Sequence, residues 1–175
     1  MPFQIRPAKP EDASNIAHVQ VESWKTTYTG IVPGTFLAYL TREAQTESWR
    51  APLANPAIHF FVAEDETGIF GFATGGAIRE AIDPYDAYDA ELYAIYLLKS
   101  HQHYGAGRAL VRTLAAALHG AGFQSMIVWA LEENPAIGFY QRLGAVPLAR
   151  KITNIGGKDL PDLVLGWSAL LPLLQ

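Results

Sequence analysis

A buried-strand pattern, a glycine-containing turn and a strong helix pattern follow one another between Glu91 and Leu118. The segment 91–98, ELYAIYLL, is aromatic, β-branched or apolar almost throughout, which is typical of a strand covered on both faces. Residues 109–118, ALVRTLAAAL, contain neither Gly nor Pro and favour a helix. The turn between them leads into a helix N-terminus, where free backbone N–H groups and the helix dipole attract anions. We therefore expect a phosphate group to bind at this turn.

Positive charges surround the predicted start of this helix. Lys99, Arg108 and Arg112 flank it, together with His101 and His103. Cations at a helix N-terminus are normally unfavourable, so a bound polyanion would explain them, although solvated side chains would give the same pattern. The two histidines have no third ligand nearby, and we predict no metal site.

Two common phosphate-binding motifs fit this turn poorly. The tripeptide Gly107-Arg108-Ala109 has neither the Lys nor the hydroxyl residue of a P-loop. Leu110 occupies the place of the third small residue in the dinucleotide-binding fingerprint. An unrelated nucleotide-binding protein is therefore disfavoured.

Two separated blocks of the sequence resemble the GNAT superfamily of acetyl-CoA-dependent N-acetyltransferases. The first is Q-x-x-G-x-G at residues 102–107, preceded by a strand, LYAIYLL, that is similar to the family's central strand. The second is NPAIGFYQRLG at residues 134–144, in which an Asn starts a helix and a Phe-Tyr pair precedes a Gly. The turn departs from the family at His103 and Tyr104, where small and basic residues are common.

The resemblance and the order of predicted elements imply one N-acetyltransferase domain over residues 1–175. We expect an α/β (α+β) fold with a mixed, mostly antiparallel central sheet of about six to seven strands flanked by about four helices. Strands are predicted at residues 3–6, 58–64, 69–79, 91–98, 124–131, 146–153 and 162–168. Glycines at positions 71, 75 and 76 indicate a bulge or a close approach in the third strand.

The resemblance implies acetyl-CoA as the co-substrate. Its pyrophosphate would lie against Gln102, His103, Tyr104, Gly105, Ala106, Gly107 and Arg108. Backbone groups of Ile95, Tyr96 and Leu97 would pair with the pantetheine arm, because this strand is splayed from its neighbour in the family. Asn134 would cap its helix and also contact the arm.

Acetyl transfer to an amine needs a group that takes the amine's proton and is helped by an acid beside the leaving thiolate. The resemblance places that acid at Tyr140, although a core tyrosine would fit the same inward stripe. We predict Glu91 as the base, acting through water, with a solvated strand end as the alternative. His103 is a weaker candidate because it lies at the phosphate end.

The acceptor side is predicted from two regions. Trp24 and Tyr28 are four residues apart and share a helix face, and by resemblance they would line the acceptor pocket with Tyr93, although core packing is the alternative. The segment 80–91 has no Lys or Arg and would attract a cationic amine, such as a polyamine, unless it is only a solvated loop. Its five acids are Glu80, Asp83, Asp86, Asp89 and Glu91, and Tyr85 and Tyr88 would add aromatic walls.

Composition excludes several classes of protein. The 175 residues are 50% hydrophobic and 17% charged, which suits one globular domain. Cysteine is absent, which excludes disulfides, thiolate metal sites and a cysteine nucleophile. No apolar run has the length of a signal peptide or a membrane span, so we expect a soluble, cytoplasmic protein that does not associate with membranes. The net charge of −4 argues against general nucleic-acid binding, and exposed strands near the C-terminus would permit a homodimer.

The sequence thus predicts an N-acetyltransferase that moves the acetyl group of acetyl-CoA to a primary amine of a small, cationic molecule by direct attack in a ternary complex. One alternative is an acetyltransferase for protein or peptide N-termini or lysines. Another is a non-catalytic acetyl-CoA-binding sensor, in which Tyr140 and Glu91 would have no chemical role.

Overall fold

A single mixed sheet forms the centre of the molecule in the computed structural model, which describes residues 2–80 and 87–175. Its strands are β1 (Gln4–Pro7), β2 (His59–Asp65), β3 (Gly68–Ala77), β4 (Ala90–Leu97), β5 (Met126–Leu131), β6 (Val146–Ile155) and β7 (Lys158–Trp167). They lie in the order β1-β2-β3-β4-β5-β7-β6. Every neighbouring pair is antiparallel except β4 and β5, which are parallel. The predicted mixed, mostly antiparallel sheet is confirmed.

Five α-helices flank the sheet, of which four are seven residues or longer and one has six. They are α1 (Ala13–Tyr28), α2 (Gly34–Tyr39), α3 (Arg42–Ala54), α4 (Ala106–Gly120) and α5 (Ala136–Arg142). Thr41 caps α3 as its sequence predicts, with its hydroxyl accepting a hydrogen bond from the N–H of Ala44 at 3.2 Å. Within the described residues, no helix is long and apolar enough to cross a membrane.

The helices cover both faces of the sheet. On one face, α1 packs Ile16 and Val19 against Phe72 and other apolar residues of β2 and β3. On the other face, α4 buries a row of leucines that includes Leu110 and Leu114 in the largest apolar cluster. Complete burial of each such side chain stabilises the fold by about 1.5–3 kcal/mol, so this packing fixes both helices on the sheet.

A bulge interrupts the pairing of β3 with β4. Thr74 pairs with Ala94 and Gly75 pairs with Leu92, which leaves Tyr93 without a partner in β3. A Cβ atom at Gly75 would lie 2.5 Å from the carbonyl oxygen of Glu91, so only glycine permits this approach. The glycines of the predicted third strand therefore mark a real bulge.

The parallel strands β4 and β5 pair over only three residues. Their register runs from Ala90 opposite Met126 to Leu92 opposite Val128. Beyond that point β4 continues to Leu97 and β5 continues to Leu131, but the two strands no longer pair with each other. A gap therefore opens towards the C-terminal ends of the two strands, the ends that precede α4 and α5.

Candidate functional site

The turn before α4 presents the start of the helix to solvent. Gly105 is its N-cap with a φ of 87°, a left-handed conformation that favours glycine, and His103 also has a positive φ of 69°. The first hydrogen bond of the helix runs from the N–H of Ala109 to the carbonyl of Gly105 at 3.0 Å. The N–H groups of residues 106–108 therefore have no helical acceptor, and the helix begins three residues before the segment 109–118 for which it was predicted.

The side chains around this turn divide into two groups. Lys99, Arg108 and Arg112 are exposed, and within the described residues none of them forms an ion pair. Tyr104 is 62% exposed, whereas Ala106, the first residue of α4, is buried. In the described part of the chain, these three positive charges are therefore not neutralised by a carboxylate.

Gly107 lets the first turn of α4 approach α5 closely. A Cβ atom at this position would lie 3.3 Å from the ring of Phe139 and 3.6 Å from Leu97. A side chain larger than a methyl group would have to displace one of these neighbours or project into the gap. The absence of a side chain at Gly107 therefore leaves space in the gap beside Phe139 and Leu97.

Two residues of β4 direct their backbone groups into the gap. The N–H of Leu98 donates to the carbonyl of Phe70 in a hydrogen bond of 2.8 Å, which places Leu98 in a hydrogen-bonded pair. Because such pairs alternate along an antiparallel ladder, Tyr96 also bonds towards β3, whereas Ile95 and Leu97 face β5. Of the three predicted contacts, Ile95 and Leu97 thus offer backbone groups, and Tyr96 offers its side chain.

The carbonyl of Leu97 is already occupied. It accepts a hydrogen bond of 3.1 Å from the hydroxyl of Ser23 and one of 3.2 Å from the side-chain amide of Gln102. Gln102 therefore turns back to hold the loop in place instead of reaching outwards. The groups left facing the gap are both backbone groups of Ile95 and the N–H of Leu97.

Three buried or partly buried tyrosines lie near the point where β4 and β5 separate. Tyr28 from α1 and Tyr140 from α5 are 6% and 4% exposed, and Tyr96 lies between them on β4. Burial raises the pKa of all three phenols, and the pKa of Tyr28 is raised further by Tyr96 and Tyr140. The three phenols therefore lie near enough to influence one another's pKa. We call these three residues the tyrosine cluster.

Asn134 joins the tyrosine cluster to α5. Its side-chain N–H donates to the hydroxyl of Tyr28 at 2.8 Å, and its side-chain oxygen accepts from the N–H of Ala136 at 2.9 Å. The predicted cap is therefore displaced by one residue: Asn134 accepts from the first N–H of α5, but the N-cap is Pro135. Sequence reasoning missed the bond to Tyr28, because the two residues are 106 positions apart.

Trp24 packs against the tyrosine cluster from α1. Its ring centroid lies 4.5 Å from that of Tyr28 and 5.9 Å from that of Phe36. The indole N–H is buried near the hydroxyl of Tyr96 and has no hydrogen-bond partner among the described residues. The predicted shared face of Trp24 and Tyr28 is confirmed, and it carries an unused donor.

Glu91 is sealed in an ion pair with Arg79. Its side chain is 2% exposed, and its two oxygens accept hydrogen bonds from the backbone N–H and the guanidinium of Arg79. The same guanidinium lies 4.3 Å from the ring centroid of Tyr93, whose hydroxyl donates to the carbonyl of Ala77. The structure thus brings two predicted site residues together around an arginine that sequence reasoning missed.

The acidic segment is more neutralised than expected. Glu80 pairs with Lys151 at 3.0 Å, and Glu91 pairs with Arg79. Asp89 accepts hydrogen bonds of 2.9 Å from the N–H and hydroxyl of Ser125. Residues outside the segment thus supply a cation to Glu80 and to Glu91 and hydrogen bonds to Asp89. These three acids are therefore not free to attract a cationic amine, contrary to the expectation from the sequence.

The other residues of this segment have different positions. Asp83, Asp86 and Tyr85 lie outside the described residues. Tyr88 packs against Ile127 and Val164 in a small apolar cluster, as a wall of the sheet.

A second carboxylate, Asp162 on β7, lies beside the tyrosine cluster. It stands opposite Leu131 in the pairing with β5, and Leu131 packs in one cluster with Tyr28. Burial raises the pKa of Asp162, and this carboxylate is one of the groups that raise the pKa of Tyr28. Sequence reasoning missed it, although an acid within the apolar strand LPDLVLGW was a usable signal.

A cavity of about 570 Å³ lies beside the connection between α1 and α2. Its walls contain Val32, Leu37 and Lys158, but no member of the tyrosine cluster. It is therefore separate in its lining from the gap. Among the described residues, no group of three or more His, Asp or Glu side chains is arranged to hold a metal.

Comparison with known proteins gives a consistent result. The family model described as the acetyltransferase (GNAT) family matches residues 21–145. A Bacillus subtilis (strain 168) protein named uncharacterized N-acetyltransferase YuaI is 44% identical over 175 residues, which covers 98% of each chain.

Solved structures share the fold. The PaiA N-acetyltransferase of Thermoplasma acidophilum, in complex with coenzyme A, aligns with a TM-score of 0.73 and 23% identity over 95% of this chain and 98% of that one. The yncA protein of Salmonella typhimurium, solved with its cofactor acetyl-CoA, aligns with a TM-score of 0.68 and 18% identity over 96% and 94%.

Proposed function

The chain belongs to the GNAT family of acetyltransferases, and from that premise we propose that it transfers the acetyl group of acetyl-CoA to a primary amine of a small, cationic molecule by direct attack in a ternary complex. The observation that carries the proposal is the position of the Tyr140 hydroxyl, buried in the tyrosine cluster at the gap between β4 and β5. We also propose that residues 1–175 act as one domain, because β1 and β7 belong to the same sheet.

The proposed path of the co-substrate follows the groups that the protein leaves unpaired. The pyrophosphate would accept hydrogen bonds from the N–H groups of residues 106–108, with Arg108 and Lys99 nearby to balance its charge. The pantetheine arm would pair with Ile95 and Leu97 as an added strand does. This course leads the thioester towards Tyr140.

Tyr140 is suited to protonate the leaving thiolate. Burial raises the pKa of its phenol, so the group keeps its proton at neutral pH. A free thiol has a pKa of about 8.5, so a proton from a nearby donor stabilises the leaving group as the C–S bond breaks.

Glu91 stays a predicted base in this scheme. Arg79 holds both of its carboxylate oxygens, so Glu91 would take a proton only through water or after Arg79 moves away. The exposed half of Arg79, at 59% side-chain exposure, leaves room for that movement.

The acceptor side favours a small molecule over a protein chain. The ammonium of Lys158 in the β6–β7 hairpin donates to the carbonyl of Ile31 at 2.9 Å, which joins the hairpin to the α1–α2 connection. A Cβ atom at Gly156 would lie 2.7 Å from the Cβ of Phe36, so the same two segments also touch there. A protein substrate would have to pass between them.

A Tyr140→Phe variant tests the carrying observation. Thiol release from acetyl-CoA is measured with spermidine, benzylamine and kanamycin as acceptors, and kcat is expected to fall about 100-fold. The affinity for acetyl-CoA, measured by calorimetry, should not change. Tyr39→Phe, at a tyrosine that is 83% exposed, is the matched control and should behave as the wild type. Equal kcat values for Tyr140→Phe and the wild type would refute the role of this hydroxyl.

Initial-rate kinetics test direct attack. With both substrates varied, a ternary complex gives intersecting double-reciprocal lines, whereas an acetyl-enzyme gives parallel lines. The chain has no cysteine to carry an acetyl group, which agrees with the first outcome. Acetyl-CoA binding without thiol release for any amine would instead favour the sensor.

A further inference from the structure

Asp162 occupies the middle of the acceptor side of the sheet. It lies on β7 between Leu131 of β5 and Lys151 of β6, directly opposite both. Leu131 and Leu160 pack in one cluster with Tyr28, and alternate residues of a strand share a face. Asp162 therefore faces the same side of the sheet as Tyr28 and Leu160, beside the tyrosine cluster.

No cation neutralises this carboxylate within the described residues. Lys151, its direct neighbour, turns to Glu80 at 3.0 Å and lies 4.9 Å from the ring centroid of Trp129. Burial raises the pKa of the Asp162 carboxyl, and the backbone N–H of Leu163 opposes this only in part. Its partial burial makes an unpaired charge costly, so a cationic ligand would stabilise it.

The other charged groups near Asp162 already have partners. Glu132, which follows β5, pairs with Arg150 at 3.0 Å. Tyr28 faces Asp162 from α1 and receives the hydrogen bond from Asn134. A comparison with Glu91 is direct, since Glu91 has a guanidinium on one oxygen and a backbone N–H on the other, whereas Asp162 has no cation among the described residues.

We propose that Asp162 binds the ammonium group of the acceptor and takes its proton as the amine attacks the thioester. The proposal rests on the proposed function, adds to it the residue that recognises the acceptor's charge, and gives Asp162 the proton transfer that was otherwise predicted for Glu91. An ammonium beside Asp162 would lie next to Tyr28, whose ring packs on that of Trp24. The same ammonium would also lie near the gap between β4 and β5, beside which Tyr140 is buried.

The proton balance of the step is complete. The ammonium gives one proton to Asp162, and its nitrogen then forms a bond to the thioester carbonyl carbon. As the C–S bond breaks, Tyr140 protonates the thiolate, and the second proton lost by the nitrogen restores the Tyr140 phenol. Asp162 releases its proton to water, so the products are an N-acetyl amine, coenzyme A and one proton.

Two amines of similar shape separate this role from a structural one. Benzylamine is protonated at neutral pH, whereas aniline is not. For Asp162→Asn, kcat/KM with benzylamine and spermidine is expected to fall about 100-fold, while kcat/KM with aniline changes little. Glu66→Gln removes an exposed carboxylate in the β2–β3 turn, away from Asp162, and should leave all three values unchanged.

The pH profile gives a second measurement. The wild-type rate with benzylamine should fall at acid pH as Asp162 becomes protonated, and this limb should be absent in Asp162→Asn. An equal loss with benzylamine and aniline, or an unchanged acid limb, would overturn the proposal, because a purely structural role affects both amines alike.

A binding measurement distinguishes failure of this proposal from failure of the proposed function. If the wild type acetylates none of the amines, the proposed function fails. Calorimetry of benzylammonium binding to the coenzyme A complex then still tests Asp162. Binding that is lost in Asp162→Asn supports the proposal. Equal binding in both proteins, or none in the wild type, overturns it.

Discussion

The ion pair of Glu91 and Arg79 shows that a residue just outside the acidic segment 80–91 can neutralise one of its carboxylates. The sequence segment 80–91 is acidic throughout, and Arg79 precedes it by one position. In the folded chain that arginine takes both oxygens of a carboxylate that is only 2% exposed. Side-chain pairing of this kind depends on the turn between the strands, which local sequence patterns do not define.

Removing the arginine should destabilise the fold more than neutralising the acid. Arg79→Met leaves a buried carboxylate without compensation, and we expect the free energy of unfolding to fall by about 2–4 kcal/mol. Glu91→Gln keeps most of the hydrogen-bonding shape and should cost less. Urea unfolding of both variants measures the difference, and an equal cost for the two would contradict this account.

At the scale of elements, the approach of α4 to α5 depends on Gly107. Gly107→Val should weaken acetyl-CoA binding at least about tenfold, because the branched side chain meets Phe139 or enters the gap. Gly120→Ala, at the other end of α4, meets nothing within 4 Å and is the matched control. Calorimetry measures the affinities, and circular dichroism should show that both variants keep their helices. Unchanged affinity in Gly107→Val would remove the turn from the proposed co-substrate site.

The joint between β1 and α1 should give the fold an acid-sensitive component. Arg6 donates hydrogen bonds of 2.7 and 3.1 Å to Asp12, and this interaction holds the pKa of Asp12 below its ordinary value of 3.8. A carboxyl group with a lower pKa in the folded state contributes stability above its unfolded pKa, and that stability is lost as the pH falls through the folded pKa.

Asp12→Asn should therefore lower the free energy of unfolding at pH 7 by about 1–3 kcal/mol and have less effect at pH 3. Urea titrations at the two pH values make the comparison. Glu66→Gln, at an exposed acid of the β2–β3 turn, is the control and should show neither effect. A cost that is equal at both pH values would show that the carboxylate charge is not involved.

At the scale of the whole molecule, the two edges of the sheet differ. β1 has four residues, whereas β6 has ten and exposes Val146 and Ile152 by 53% and 60%. A long edge strand with exposed apolar residues can pair with a second copy, so the homodimer stays a prediction. Sedimentation should show a dimer that Ile152→Lys shifts towards monomer, and a wild-type monomer at high concentration would contradict it.

The sequence predicted most of the sheet and the glycine-containing turn before α4, because periodicity and glycine placement are local signals. It predicted Tyr140, Asn134 and Tyr28 only through resemblance, and it missed their spatial relation. The contact between Tyr28 and Asn134, and the electrostatic influence of Asp162 on Tyr28, join positions more than a hundred residues apart. Such contacts are set by how elements pack, which no single segment encodes.

The three-residue seam between β4 and β5 has a consequence for how the molecule unfolds. Little backbone pairing ties the β1–β4 half of the sheet to the β5–β7 half, so the empty protein should open along this line at lower cost than it melts as a whole. A co-substrate bound in the gap would contact both halves of the sheet, hold them together and raise the melting temperature. At a ligand concentration one hundred times Kd, this linkage is worth about 2.7 kcal/mol. Bound co-substrate should accordingly slow amide hydrogen exchange most at Ile95 and Leu97, which lie at the edge of the gap.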